Sequence, residues 1–173
     1  MKTIIFREEL TPESVQELID KIEQPHEDIV EHDIRILFSS IGGHSDMAEA
    51  LIDCINGLDK EFNLELVVTY QAVSGAFDVF VKAKCKKRLY RNANGVVHLF
   101  DRSFSSRDVI NSKNSYDKHL LAEINDMNAE YLEWLEELGI FTGKELKRIS
   151  RGKDVYVERE RLQKIIDKQS KKQ

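Results

Sequence analysis

Ser39-Ser40-Ile41-Gly42-Gly43 and Ala72-Val73-Ser74-Gly75-Ala76 each join hydroxyl and small side chains to glycine where an apolar run gives way to helical spacing. Glycine lets a backbone turn so that its N–H groups face outward, and a helix N-terminus favours negative charge. Donors of that kind suit the oxyanion that develops on an attacked carbonyl. A serine is a weak nucleophile until a neighbouring base accepts its proton, and histidine titrates near enough to neutrality to take that proton and return it. Spacing alone leaves other roles open: Ser74 also suits a helix N-cap, and His98 a satisfied histidine at a strand end. Cys54 and Cys85 have no metal-ligand spacing, nor do His26, His32, His44, His98 and His119, so no metal and no cofactor is expected. Cys54 is read as a small core residue and Cys85 as partly exposed, both as free thiols.

The elements that must position these residues alternate. Residues 3–6 read as a short strand, and Thr11-Pro12 opens a helix over 12–23 carried by Val15, Leu18, Ile19 and Ile22. A polar connection over 24–33 leads to a buried strand at Ile34–Phe38. Met47, Leu51, Cys54, Ile55 and Leu58 mark a second helix, Leu64–Thr69 a strand, and Phe77, Phe80 and Val81 a helix opened by Ser74-Gly75-Ala76. Arg88–Tyr90 and Val96–Leu99 read as strands around the turn Asn92-Ala93-Asn94-Gly95. After a polar, serine-rich stretch over 101–115, a long amphipathic helix spans Tyr116–Leu138. Thr142 and Glu145 form a capping box for a short helix, Val155–Val157 reads as a strand, and Leu162, Ile165 and Ile166 sit on a last helix. This alternation predicts βαβ units and a largely parallel sheet.

Composition bounds the possibilities. The 173 residues suit one domain with a full core; 41% are hydrophobic and 33% charged. A net charge of −5 argues against nucleic-acid or membrane-surface partners, which call for an excess of Lys and Arg. The basic run Lys82, Lys84, Lys86, Lys87, Arg88 reads as a solvated helix end and strand entry. The opening Met1–Phe6 is too short an apolar stretch for a signal peptide, and no segment approaches the ~20 apolar residues of a membrane span. A cytoplasmic chain is expected.

Three stretches, in order, resemble the proteolytic subunits of Clp peptidases. Ile34–Gly43 is similar to that family's buried strand ending in Asn-Ser-Pro-Gly-Gly. Tyr70-Gln71-Ala72-Val73-Ser74-Gly75-Ala76 is similar to its Gly-Gln-Ala-Ala-Ser-Met-Gly-Ala, and Lys84–Arg88 with Val96-Val97-His98 resembles its Lys-Gly-Lys-Arg and the strand ending in the catalytic histidine. The likeness runs from residue 3 to about 166. It implies an α/β, ClpP/crotonase-like fold: a repeated ββα spiral with a mainly parallel sheet and a helical handle. A single domain over 1–166 is expected, with the handle-like insertion at about 103–142 and a polar tail at 167–173.

The same resemblance implies Ser74 as nucleophile, His98 as general base, and the Gly42 and Gly75 N–H groups as an oxyanion hole. Asp154 is the carboxylate nearest the family's orienting aspartate, whose ungapped match is Gly152. Ser74 is followed directly by Gly75, one residue short of the usual motif; an ungapped count from His98 puts Val73 in its place. Tyr70 replaces a glycine and Ile41 a proline. The implied activity is serine endopeptidase action on peptides or unfolded chains through an acyl-enzyme, in a ring-like homo-oligomer. The alternative is a catalytically silent assembly or scaffold subunit. An acyl-CoA enzyme of the crotonase type is a weaker third reading, because nothing here resembles a CoA-adenine pocket. The first strand begins at about Thr3, so the axial loop that engages an ATP-driven unfoldase is not expected, nor is that partnership.

Overall fold

The computed structural model describes residues 1–24, 33–58, 62–99 and 115–170. The expected polar connection at 24–33, the serine-rich stretch over 101–115 and the end of the tail lie largely outside them, as do His26 and His32. The chain divides into two compact units, Met1–Val97 with Tyr156–Gln173 and His98–Val155.

The first unit is built on a six-stranded sheet: β1 (Lys2–Phe6), β2 (Asp33–Ser40), β3 (Asn63–Val73), β4 (Lys86–Leu89), β5 (Asn94–Val97) and β6 (Val155–Val157). The order is β1-β2-β3-β5-β6, with β4 also on β3. β1 with β2, β2 with β3, and β3 with both β4 and β5 pair in parallel. Parallel neighbours need a crossover, and helices α1 (Pro12–Glu23), α2 (Ser45–Leu58) and α3 (Gly75–Lys82) supply it. Strict alternation along β2 turns Ile34, Ile36, Phe38 and Ser40 inward. In register, Ile4 lies beside Ile36 and Ile36 beside Leu66; Phe6 lies beside Phe38, with ring centroids 5.5 Å apart, and Phe38 beside Val68. Against this face pack Val15, Leu18 and Ile22 of α1, Leu51 and Ile55 of α2, and Phe77 and Phe80 of α3, all buried. α3 is buried on nearly every side from Gly75 to Val81, so its start is a fixed point of the fold.

β3 is longer than its apolar run suggests. It pairs with β4 over Glu65–Val68 and with β5 over Gln71–Val73. Between these segments the register against β2 shifts, from Phe38 opposite Val68 to Ser40 opposite Ala72. Tyr70 is thrown outward at the irregularity and is 58% exposed. The expected turn over 92–95 is shorter, because Asn94 and Gly95 already belong to β5.

Helix α6 (Arg159–Ser170) packs on β4 and β5 through Leu162 and Ile165. It corrects the reading of the basic run. Lys87 is half-buried, its Nζ bonded to Val81 O at 3.1 Å and to Gln169 Oε1 at 2.6 Å, while Lys84, Lys86 and Arg88 are exposed. The cysteines are reversed as well: Cys85 is buried and Cys54 only half-buried, because the loop leaving α3 turns inward before β4.

The second unit holds α4 (Ser115–Leu138) and α5 (Gly143–Ile149). Their contact buries Tyr131, Leu135 and Ile149, with Trp134 5.3 Å from the Tyr131 ring. Thr142 caps α5: its Oγ1 accepts from Glu145 N at 3.3 Å, and Glu145 Oε2 accepts from Thr142 N at 2.8 Å. The described residues thus form an α/β fold with a mostly parallel sheet and six helices, in line with the patterning. No helix among them is long and apolar enough to cross a membrane.

Candidate functional site

β3 ends at Val73 and α3 starts at Gly75, which leaves Ser74 as the whole connection. It takes φ 55 and ψ −128, and among the described residues no other non-glycine residue has positive φ. Such a backbone costs about 1–3 kcal/mol and persists only where its surroundings over-determine it. Here they do. Ser74 N–H donates to Val96 O of β5 at 2.9 Å, and Ser74 O accepts from Phe77 N at 2.8 Å and Asp78 N at 3.3 Å. The side chain makes no capping bond to the helix, so the N-cap role that Ser74 also suits is not taken up. Among the described residues its Oγ has no hydrogen-bond partner, and it stands half-buried.

The β2–α2 turn lies directly against this elbow. A Cβ on Gly42 would fall 2.5 Å from Val73 O, 2.8 Å from Ser74 Cβ and 3.2 Å from Gly75 N, and Gly42 has φ 91. Only glycine fits both the space and the dihedral. The fold therefore brings Gly42, Ser74 and Gly75 together inside the first unit. Gly42 N–H is engaged, however, donating to the buried Ser40 Oγ at 3.1 Å. Gly43 N–H and Gly75 N–H have no hydrogen-bond partner among the described residues. The glycine pair was visible in the sequence, but which of its two donors is free depends on the Ser40 rotamer.

His98 and Asp154 belong to the second unit. His98 Nδ1 lies 3.9 Å from Asp154 Oδ1, within ion-pair reach and beyond a hydrogen bond. Its Nε2 is buried, and no described residue bonds it. Asp154 follows the turn that closes α5, where Lys153 N donates to Arg148 O at 3.1 Å and Arg148 Nη2 to Asp154 O at 3.4 Å. Its side chain is 60% exposed. No group of three or more His, Cys, Asp or Glu side chains among the described residues is arranged to hold a metal. A scan against protein-family models finds no match, and a search of curated proteins finds none.

Proposed function

We propose that this chain is a serine hydrolase of the Clp-peptidase type, acting on peptides or unfolded chains, with Ser74 as nucleophile, His98 as general base and Asp154 as its orienting carboxylate. One observation carries the reading: among the described residues Ser74 alone of the non-glycine residues holds a strained positive-φ backbone, at a strand-to-helix elbow, and its hydroxyl has no hydrogen-bond partner among them. That geometry is the one a nucleophile elbow requires, because it lifts Oγ clear of the strand and sets it beside the first N–H groups of a helix.

In the proposed cycle Ser74 Oγ attacks the scissile carbonyl while His98 Nε2 takes its proton. The oxyanion is held by Gly75 N–H and the Gly42–Gly43 turn, where Gly43 N–H is the uncommitted donor. His98 then protonates the leaving amine, and water hydrolyses the acyl-serine by the same route. Within the second unit, Asp154 lies on the Nδ1 side of His98 and Nε2 has no hydrogen-bond partner among the described residues, which supports a base that acts through Nε2. The pairing of serine and histidine, the ClpP/crotonase-like spiral and the peptide substrate class rest on the likeness of residues 34–43, 70–76 and 84–98 to Clp peptidases.

Ser74→Ala removes fluorophosphonate labelling and peptidase activity and leaves the circular dichroism unchanged. His98→Ala is as damaging. Asp154→Ala lowers kcat only in part, because the oxyanion hole and the base survive it. Labelling that persists in Ser74→Ala overturns the assignment.

A second reading, a catalytically silent subunit of the same fold, is favoured by the exposed Asp154 at 3.9 Å from His98. The same labelling experiment separates the two, since a silent wild type takes no label.

A further inference from the structure

We propose that Leu10, in the connection between β1 and α1, is a positioning residue for the Ser74 site and sets the direction of the Gly43 N–H. The inference rests on the serine-hydrolase reading of Ser74. Leu10 is fully buried and forms an isolated parallel bridge with Gly43. Its N–H donates to Gly42 O at 2.7 Å, and its carbonyl accepts from His44 N at 3.0 Å. Its side chain reaches the start of α3, with Cδ1 3.6 Å from the place a Cβ on Gly75 would take. Its backbone also fills the space beside Gly43, where any Cβ would collide with Leu10 N, C and O. One residue thus pairs with the Gly42–Gly43 turn and lines the space beside Gly75.

The consequence follows from the planarity of the peptide bond. Gly42 C=O and Gly43 N–H belong to one trans peptide unit and point in opposite directions. A donor that holds Gly42 O therefore holds Gly43 N–H away from Leu10, free for an incoming oxyanion. The three groups form a relay from Leu10 N–H through the Gly42–Gly43 peptide to the ligand oxygen, and each bond polarises the next.

The test replaces Leu10 in the full chain by its α-hydroxy acid, which removes the N–H and keeps the side chain. Hydrolysis of a p-nitrophenyl ester is then followed. We expect kcat lower by about tenfold with KM within about twofold, less than the ~10²–10³-fold lost with an oxyanion-hole donor itself, because Gly43 N–H remains but is no longer held in direction. Leu10→Met, which keeps the N–H, retains kcat within about threefold on the same grounds. A second readout needs no variant: on titration with phenylboronic acid, the Leu10 and Gly43 amide resonances shift together. An unchanged kcat in the ester chain, or a Gly43 shift without one at Leu10, overturns the inference and leaves the serine-hydrolase reading standing. A wild type that neither turns over the ester nor takes a fluorophosphonate label refutes that reading, and the inference with it.

Discussion

At Ser74 the conformational cost of the elbow and its chemical use meet in one residue. A serine at φ 55 is held there by β5 through Val96, by the first turn of α3, and by a glycine with no room for a side chain. Gly42→Ala tests that packing. A methyl group at this position meets backbone atoms at 2.5 Å and 3.2 Å, and the φ of 91 is unfavourable for any L side chain. The combined strain and overpacking are expected to cost about 2–5 kcal/mol, read as a lower urea midpoint at unchanged m-value. Fluorophosphonate labelling should fall along with it. These residues were legible as a set because small side chains at two strand-to-helix junctions are visible in the sequence. Leu10 was not. It looks like any apolar residue before a helix, and its pairing with the Gly42–Gly43 turn exists only once β1 lies beside β2.

At the scale of elements, helical spacing and β-branched runs located the helices and most strands, and α1 falls on the expected residues 12–23. Errors gathered where pairing overrides local signal. The irregularity at Tyr70 lets β3 serve β4 and β5 in turn, so β3 extends past the expected Thr69 to Val73. Similarly, Lys87 is drawn in by α6, which no reading of a basic run anticipates. Burial lowers its pKa from the ordinary 10.5 to about 8, with a smaller opposing effect from Cys85. Below pH 8 the ammonium is charged in both folded and unfolded chains, and its desolvation cost is fully present. Between about 8 and 10.5 the folded protein releases the proton first while the unfolded chain still binds it, so this group adds stability as pH rises. Lys87→Met is expected to remove that slope, and wild type should gain on the variant by about 1–3 kcal/mol across this window. Urea unfolding of both proteins at pH 7 and pH 10 measures it; parallel pH profiles would contradict the assignment.

For the whole molecule, the α4 segment bears on assembly. Tyr131 and Leu135 are buried within the second unit, whereas Met127, one turn earlier, is 41% exposed and Ile124 half-buried. This apolar stripe, together with the proposed Clp-peptidase reading, motivates the expectation of a ring-like homo-oligomer. Light scattering at micromolar protein should give a multiple of 20.1 kDa, and a monodisperse monomer would refute it. Substituting Met127 by Glu should lower the oligomer mass if the stripe mediates assembly. The proposed chemistry requires Ser74 and His98, which belong to different compact units, to pair as nucleophile and base. A crystal structure of the wild type, free and after reaction with a fluorophosphonate, measures that pairing directly. A serine hydrolase of the proposed type should have Ser74 Oγ within about 2.6–3.2 Å of His98 Nε2 in the free protein, with Asp154 on the Nδ1 side and phosphorus bonded to Ser74 Oγ after reaction. A separation beyond about 5 Å in both structures, or an adduct on any other residue, would contradict it.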